Sequence, residues 1–250
     1  MTNEEKKALL ALKTRVKSVG FVCPMDCEMA AVTRLFADSH TQEVGGLSFV
    51  TGSVCGIPAV AVRCGVGKVF AASAAQAMLL RFAPDLVITT GIAGNLSADL
   101  SIGDVVVSRD VLQHDMDTSP IGDPVGLISG INKIYLDADA DAVTLLSAVL
   151  AEQGIRHRVG RVASGDRFVA STEERERIIR LFAADCCEME GAAVGQVCYV
   201  AKTPFVVLRA LSDDANNDAP ADFPAYCLAV AQTNSGIIAR FMKMLSSELV

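Results

Sequence analysis

The stretch Asp85-Leu86-Val87-Ile88-Thr89-Thr90-Gly91-Ile92-Ala93-Gly94 joins a short run rich in β-branched residues to a glycine-bearing segment. A run of this length after Pro84 reads as a buried strand over 85–89 whose carboxyl end opens into 90–94. Ahead of it, an Ala-rich helix runs from Gly65-Val66-Gly67 through Leu80. Helix feeding directly into buried strand is the alternation of an α/β fold. In an open α/β sheet, ligands gather beyond the carboxyl ends of strands, so the segment after Thr89 marks one place to look for function.

Working outward, residues 4–17 carry Leu9, Leu10, Leu12 and Val16 at helical spacing, an N-terminal extension helix (1–17) ahead of a single domain over 18–250. Residues 18–23 read as a buried strand and 26–36 as a helix. Strands over 47–52 and 57–62 flank a Cys55-Gly56 turn, the pattern of a hairpin. A strand at 103–108, a long irregular loop over 114–134, a helix at 138–152 and a strand at 158–164 come next. Helices near 173–182 and 189–201, a strand at 205–211 and a terminal helix over 224–246 complete the chain. With no composition break, the expectation is one α/β domain with a central mixed sheet flanked by helices. Five strand ends then share one crevice: Pro24-Met25-Asp26-Cys27-Glu28, Gly65-Val66-Gly67, Thr90-Gly91-Ile92-Ala93-Gly94, Ser164-Gly165-Asp166-Arg167-Phe168 and Ser212-Asp213.

Composition narrows the function classes. Of 250 residues, 51% are hydrophobic and 20% charged, which excludes a disordered chain. A formal charge of -7 and the lack of a basic patch argue against nucleic acid as a partner. The longest apolar stretches are broken by Lys68, Arg81 and Pro84, so no membrane span is expected. The start, Thr2-Asn3-Glu4-Glu5-Lys6-Lys7, lacks a secretory pattern. Eight cysteines lie mostly within apolar runs, with Cys55, Cys64, Cys198 and Cys227 reading as small core residues. Neither Cys23/Cys27 nor Cys186-Cys187 has zinc-ligand spacing, and no metal is expected. Reduced thiols point to the cytoplasm.

The candidate chemistry lies in carboxylates at apolar strand ends, where burial is unfavourable unless the group is paired, hydrogen-bonded or protonated. Each has a plain structural reading too. Glu28 starts a helix, where an acidic side chain suits the dipole. Ser212-Asp213-Asp214 can simply begin a turn, with Asp214 or Asn217 as a cap. Glu188 and Glu190 are two apart at the start of an Ala-rich helix, so one is expected to point to solvent and the other inward. Gly65-Val66-Gly67-Lys68 and Gly91-Ile92-Ala93-Gly94 match neither a P-loop nor a dinucleotide fingerprint. Their glycines suit close approach of backbone to a ligand.

Taken together, Cys23-Pro24-Met25-Asp26-Cys27-Glu28-Met29, Gly65-Val66-Gly67-Lys68, Thr90-Gly91-Ile92-Ala93-Gly94, Ser164-Gly165-Asp166-Arg167-Phe168, Glu188-Met189-Glu190 and Arg209-Ala210-Leu211-Ser212-Asp213 resemble bacterial 5'-methylthioadenosine/S-adenosylhomocysteine nucleosidases, over about 18–248. The resemblance implies a nucleoside phosphorylase-like fold and hydrolysis of the bond between adenine N9 and ribose C1', without cofactor or metal. It implies Glu28 as the base that activates water and Asp213 as the acid that protonates adenine N7, with Ser212 orienting it. It further implies substrate contacts from Glu188 and Glu190, the latter accepting from the ribose hydroxyls. Met189 packs on the sugar in that scheme, Arg209 holds water and carboxylate, and Phe168 stacks on adenine. The Val169 backbone and the Gly94 region contact base and sugar. A homodimer is implied as well, with loop 114–134 at the contact. Ile92 and Asn95 depart from the family pattern, which has a small residue and a glycine there.

The chemistry supports this reading independently. Cleaving the bond builds positive charge at C1' and O4' and negative charge on the departing base. A fixed carboxylate favours the first and proton donation relieves the second. On this reading Asp213 needs its pKa raised by burial or by the purine contact, while Glu28 stays ionised beside Arg209. A purine nucleoside phosphorylase needs a basic cluster for phosphate, where Glu28 stands instead. Aminofutalosine hydrolysis, with a bulkier 5' group, stays open. A non-catalytic nucleoside-binding protein would not need both Glu28 and Asp213, and a thiol redox protein would need a CxxC that is absent.

Overall fold

The computed structural model describes residues 1–215 and 223–247. Its elements are α1 (Asn3–Arg15), β1 (Val19–Cys23), α2 (Asp26–Thr33), β2 (Ala37–Val44), β3 (Leu47–Val54), β4 (Ile57–Arg63), α3 (Lys68–Phe82) and β5 (Leu86–Asn95). They continue with β6 (Val105–Gln113), β7 (Leu136–Asp137), α4 (Ala140–Glu152), β8 (His157–Ser164), α5 (Thr172–Phe182), β9 (Cys186–Glu188), α6 (Gly191–Ala201), β10 (Phe205–Asp213) and α7 (Phe223–Ser246). The architecture is a central mixed sheet flanked by helices.

The sheet runs β10-β6-β8-β9-β5-β1-β4-β3-β2, and β10 also pairs with β5. That extra pairing closes five strands, β5, β10, β6, β8 and β9, into a ring from which β1, β4, β3 and β2 extend as a wing. The parallel strands β1, β5 and β10 are buried on both faces, which explains their apolar runs, whereas β8, parallel to β6, is only partly buried and carries Arg158 and Arg161. Every residue of β1 and β10 is buried. One core cluster fills the space under α1, α4 and α7, with Leu12, Leu146, Ile238 and Phe241 at its centre. A second lies under α3 and α6, around Phe49, Met78, Val194 and Val207.

Helix α1 is capped by Thr2 and Glu5 in a reciprocal box. It buries Leu9, Leu12 and Val16 in the first core cluster. The hairpin turn at Cys55-Gly56 has φ of 51° and 79°, the left-handed pair that a two-residue hairpin requires.

Several expectations change. Cys55 is exposed at that turn rather than in the core. Strand β2, DSHTQEV preceded by Ala37, has no sequence signal because it is an almost wholly exposed edge strand with no apolar alternation. The strand expected over 85–89 is longer: β5 continues through 90–94 to Asn95, held by β10 from Val87 to Gly94. The helix expected from 189 begins at Gly191, because 186–188 form the short strand β9. Asn217, considered as a cap, lies outside the described residues.

Candidate active site

A cavity of about 280 Å³ opens where β1 and β9 part from β5, walled by residues from the ends of β1, β5, β9 and β10. Pro24, Met25, Glu28, Ile92, Gly94, Phe168, Glu188, Met189, Glu190, Arg209, Ser212 and Asp213 line it. Only Arg209 among them is a cation.

Glu28 enters from the first turn of α2, which begins where β1 ends. It is 2% exposed, and its Oε2 accepts from the Met25 N–H at 2.8 Å. Its Oε1 is buried without a hydrogen-bond partner. Burial pushes the Glu28 carboxyl up to about 7, outweighing the Arg209 charge and the Met25 and Ile92 amides. The expectation that Glu28 simply stays ionised beside Arg209 is therefore corrected. The guanidinium instead pairs with Glu188 and, at 3.4 Å, with Glu190.

Glu188 and Glu190 are both buried, so neither points to solvent as helical spacing suggested. Glu188 ends β9 and is not yet on the helix, which removes that geometric argument. Its carboxylate is fully engaged: the Ser164 hydroxyl and Arg209 Nη2 donate to it, as do the Glu190 and Gly191 N–H groups at 3.1 and 2.8 Å. It thus caps α6 and anchors Arg209. Glu190 accepts from the Gly67 N–H at 2.9 Å through Oε1. Gly67 has φ of 103°, a conformation that favours glycine, and this aims its amide at Glu190. Burial and the Glu188 charge raise the Glu190 carboxyl as well.

Asp213 sits just past an irregularity in the β10–β5 register between Leu211 and Asp213. Such a bulge re-aims a side chain, here into the cavity. Its Oδ2 accepts from the Ser212 hydroxyl at 2.6 Å, and its Oδ1 from the Ala215 N–H at 2.8 Å. Gly94 makes the room: a Cβ there would lie 3.1 Å from Asp213 Oδ1 and 3.0 Å from Ala215 Cβ. Asn95 closes the end of β5, its amide donating to the Leu100 carbonyl and to Asp214.

Phe168 lies at the mouth, 57% exposed, and Met189 lines the wall. Val169 is not among the lining residues, and its side chain packs with Leu96, Leu112 and Ile178. Ser164 and Asn234 escape sequence reading as individuals. For Asn234 the signal was present, a lone amide in an apolar helical stripe. For Ser164 it was not, since its partner Glu188 is 24 residues away.

Comparisons with known proteins place the chain in a family. A profile of the phosphorylase superfamily matches residues 18–243. The 5'-methylthioadenosine/S-adenosylhomocysteine nucleosidase of Shewanella loihica is 34% identical, covering 91% of this chain and 99% of its own. The solved nucleosidase of Neisseria meningitidis, in complex with methylthio-immucillin-A, superposes with a TM-score of 0.87 at 30% identity, covering 91% of this chain and 99% of that one. The futalosine hydrolase of Helicobacter pylori strain 26695 gives 0.85 at 33% identity, covering 91% and 97%. With the family profile spanning nearly the whole chain and close relatives matched end to end, the protein belongs to the phosphorylase superfamily and, within it, to the 5'-methylthioadenosine/S-adenosylhomocysteine nucleosidases.

Proposed function

We propose that the protein hydrolyses the N-glycosidic bond of 5'-methylthioadenosine and S-adenosylhomocysteine, releasing adenine and the 5-thioribose product. The observation that carries this is that Glu28, from the first turn of α2, and Asp213, at the end of β10, line one cavity together with Glu190. Glu28 takes a proton from the attacking water. Its raised pKa, near the working pH, makes it an effective base without leaving it fully protonated. Asp213, oriented by Ser212, delivers a proton to adenine N7 as the C1'–N9 bond breaks. Negative charge on Glu190 and Glu28 faces the sugar, where positive charge develops. Glu188 holds Arg209 and the start of α6 in place. Phe168 stacks on the base at the mouth, the Val169 backbone and Gly94 contact base and sugar, and Met189 covers the ribose. No step in this scheme calls for a cofactor or metal.

Water rather than phosphate is the nucleophile. Arg209, the one cation lining the cavity among the described residues, is already paired with Glu188 and Glu190, and a phosphate dianion would meet Glu28. Aminofutalosine hydrolysis is the second reading. It is favoured by the likeness to the Helicobacter pylori futalosine hydrolase and by the exposed mouth at Val66 and Phe168, where a bulkier 5' group has space.

A homodimer fits the exposed apolar side chains along α3 and α6, among them Val69, Phe70 and Val200. Eight unpaired cysteines suit the reducing cytoplasm. The test is adenine release from 5'-methylthioadenosine with and without phosphate, in wild type, Asp213→Asn and Glu28→Gln. Phosphate-independent release that collapses in both variants supports the proposal. Release that requires phosphate overturns it.

A further inference from the structure

Strand β5 loses its ladder partner on one side for a few residues. Its pairing with β1 ends at Thr89, its pairing with β9 starts at Gly94, and β10 occupies the opposite side throughout. Gly91 lies in that gap, opposite Arg209 in the β10 register. It is also where the reacting groups crowd the backbone: a Cβ on Gly91 would stand 1.9 Å from Arg209 Nη1 and 2.9 Å from Glu28 Oε1.

The donor that the missing strand would have given is supplied by a side chain of α7. Asn234 Nδ2 donates to the Gly91 carbonyl at 3.1 Å. Asn234 is 2% exposed, on a stripe otherwise made of Val230, Ala231, Ile237, Ile238 and Phe241. Its Oδ1 is buried with no partner. A leucine would fill this position without that desolvation penalty, but it would leave the Gly91 carbonyl unsatisfied. The amide is therefore better explained by what it holds than by how it packs.

We propose that Asn234 is a positioning residue for the reaction: it fixes the Gly91 backbone in the gap of β5, and Gly91 in turn sets the spacing of Glu28 and Arg209. This rests on the hydrolase reading above. It also makes the C-terminal helix, which contributes nothing to the lining of the cavity among the described residues, a determinant of catalytic geometry.

The test uses the full chain with Asn234→Leu and Asn234→Asp, normalised to folded protein by thermal unfolding. Asn234→Leu is expected to lower kcat at least tenfold with KM changed less than threefold, and to displace the acid limb of the pH profile. Asn234→Asp, whose protonated carboxyl can still donate to the Gly91 carbonyl, is expected to match wild type at the same pH while that carboxyl is protonated and to fall behind wild type as it ionises. Titration of Glu28, followed by carboxyl-carbon NMR in labelled protein, should shift in Asn234→Leu. A kcat within twofold of wild type, or a loss matching the unfolded fraction with Glu28 titrating as before, overturns the assignment. A wild type that releases no adenine sinks the hydrolase reading alone, because the NMR titration still decides the role of Asn234.

Discussion

Three buried carboxylates, Glu28, Glu188 and Glu190, face a single guanidinium, Arg209, that is itself 1% exposed. One cation can neutralise only one of them, and Glu188 holds it most closely. Glu28 is left to titrate at about 7. The perturbation to apply is therefore the proton. If Glu28 must be ionised to activate water, kcat/KM falls about tenfold at one pH unit below 7 and about 100-fold at two. A second raised carboxyl, Glu190, that must also be ionised steepens the limb beyond tenfold per unit, and Glu190→Gln returns it to that slope. The assay is adenine release at substrate concentrations well below KM, in phosphate-free buffers from pH 4.5 to 9. Stability carries the same signature with a definite sign. The folded pKa of Glu28 lies above its ordinary 4.5, so its contribution is full below about 4.5 and is lost as pH rises through 7. That difference is worth roughly 3 kcal/mol, which Glu28→Gln should remove from the pH dependence of unfolding. An acid limb near 4.5, with an unfolding profile indifferent to Glu28→Gln, would refute the claim that burial dominates over Arg209.

Other perturbations reach different parts of the same site. Glu188→Ala leaves Arg209 buried beside a single partner 3.4 Å away, and should destabilise the fold by about 3–5 kcal/mol in a denaturant titration. Gly91→Ala drives a methyl group into Arg209 and Glu28, so turnover should drop by more than about 100-fold, on the scale of losing general-base catalysis, even in the fraction that folds. Ser164→Ala removes a hydroxyl that both donates to Glu188 and accepts from the Ala192 N–H at 2.7 Å, with an expected loss of about 1–3 kcal/mol in the same titration. Brief alkylation should modify exposed Cys55 first, by mass spectrometry, with adenine release unchanged. Loss of activity in step with Cys55 labelling would contradict its distance from the cavity.

What the sequence made legible follows from where its signals are local. Buried parallel strands such as 19–23 and 205–213 announce themselves as apolar runs, and glycines at strand ends mark the crevice. That Glu28, Asp213 and Glu190 line the cavity was readable because carboxylates at the ends of such runs need a reason to be there. The sense of Glu188 was not readable. Whether it faces solvent depends on the start of α6 lying three residues later, and its partners come from β8 and β10. The titration of Glu28 was misjudged for a similar reason, since sequence shows that Arg209 exists but not that Glu188 occupies it. Strand β2 failed differently: its pairing is decided by β3 alongside it, and its own residues are those of an exposed loop.

The ring of five strands also has an order of assembly written into it. Its closing strand, β10, is the last strand among the described residues and must find β5, more than a hundred residues earlier. Pairings of such separation form late, because the loop they close is long. Arg209 and Asp213 both arrive on that strand, and Asn234 follows it. A nascent chain therefore presents Glu28, Glu188 and Glu190 without their cation until β10 has been made. Activity in a growing or truncated chain should appear in one step, with ring closure, rather than accumulate as the earlier strands fold.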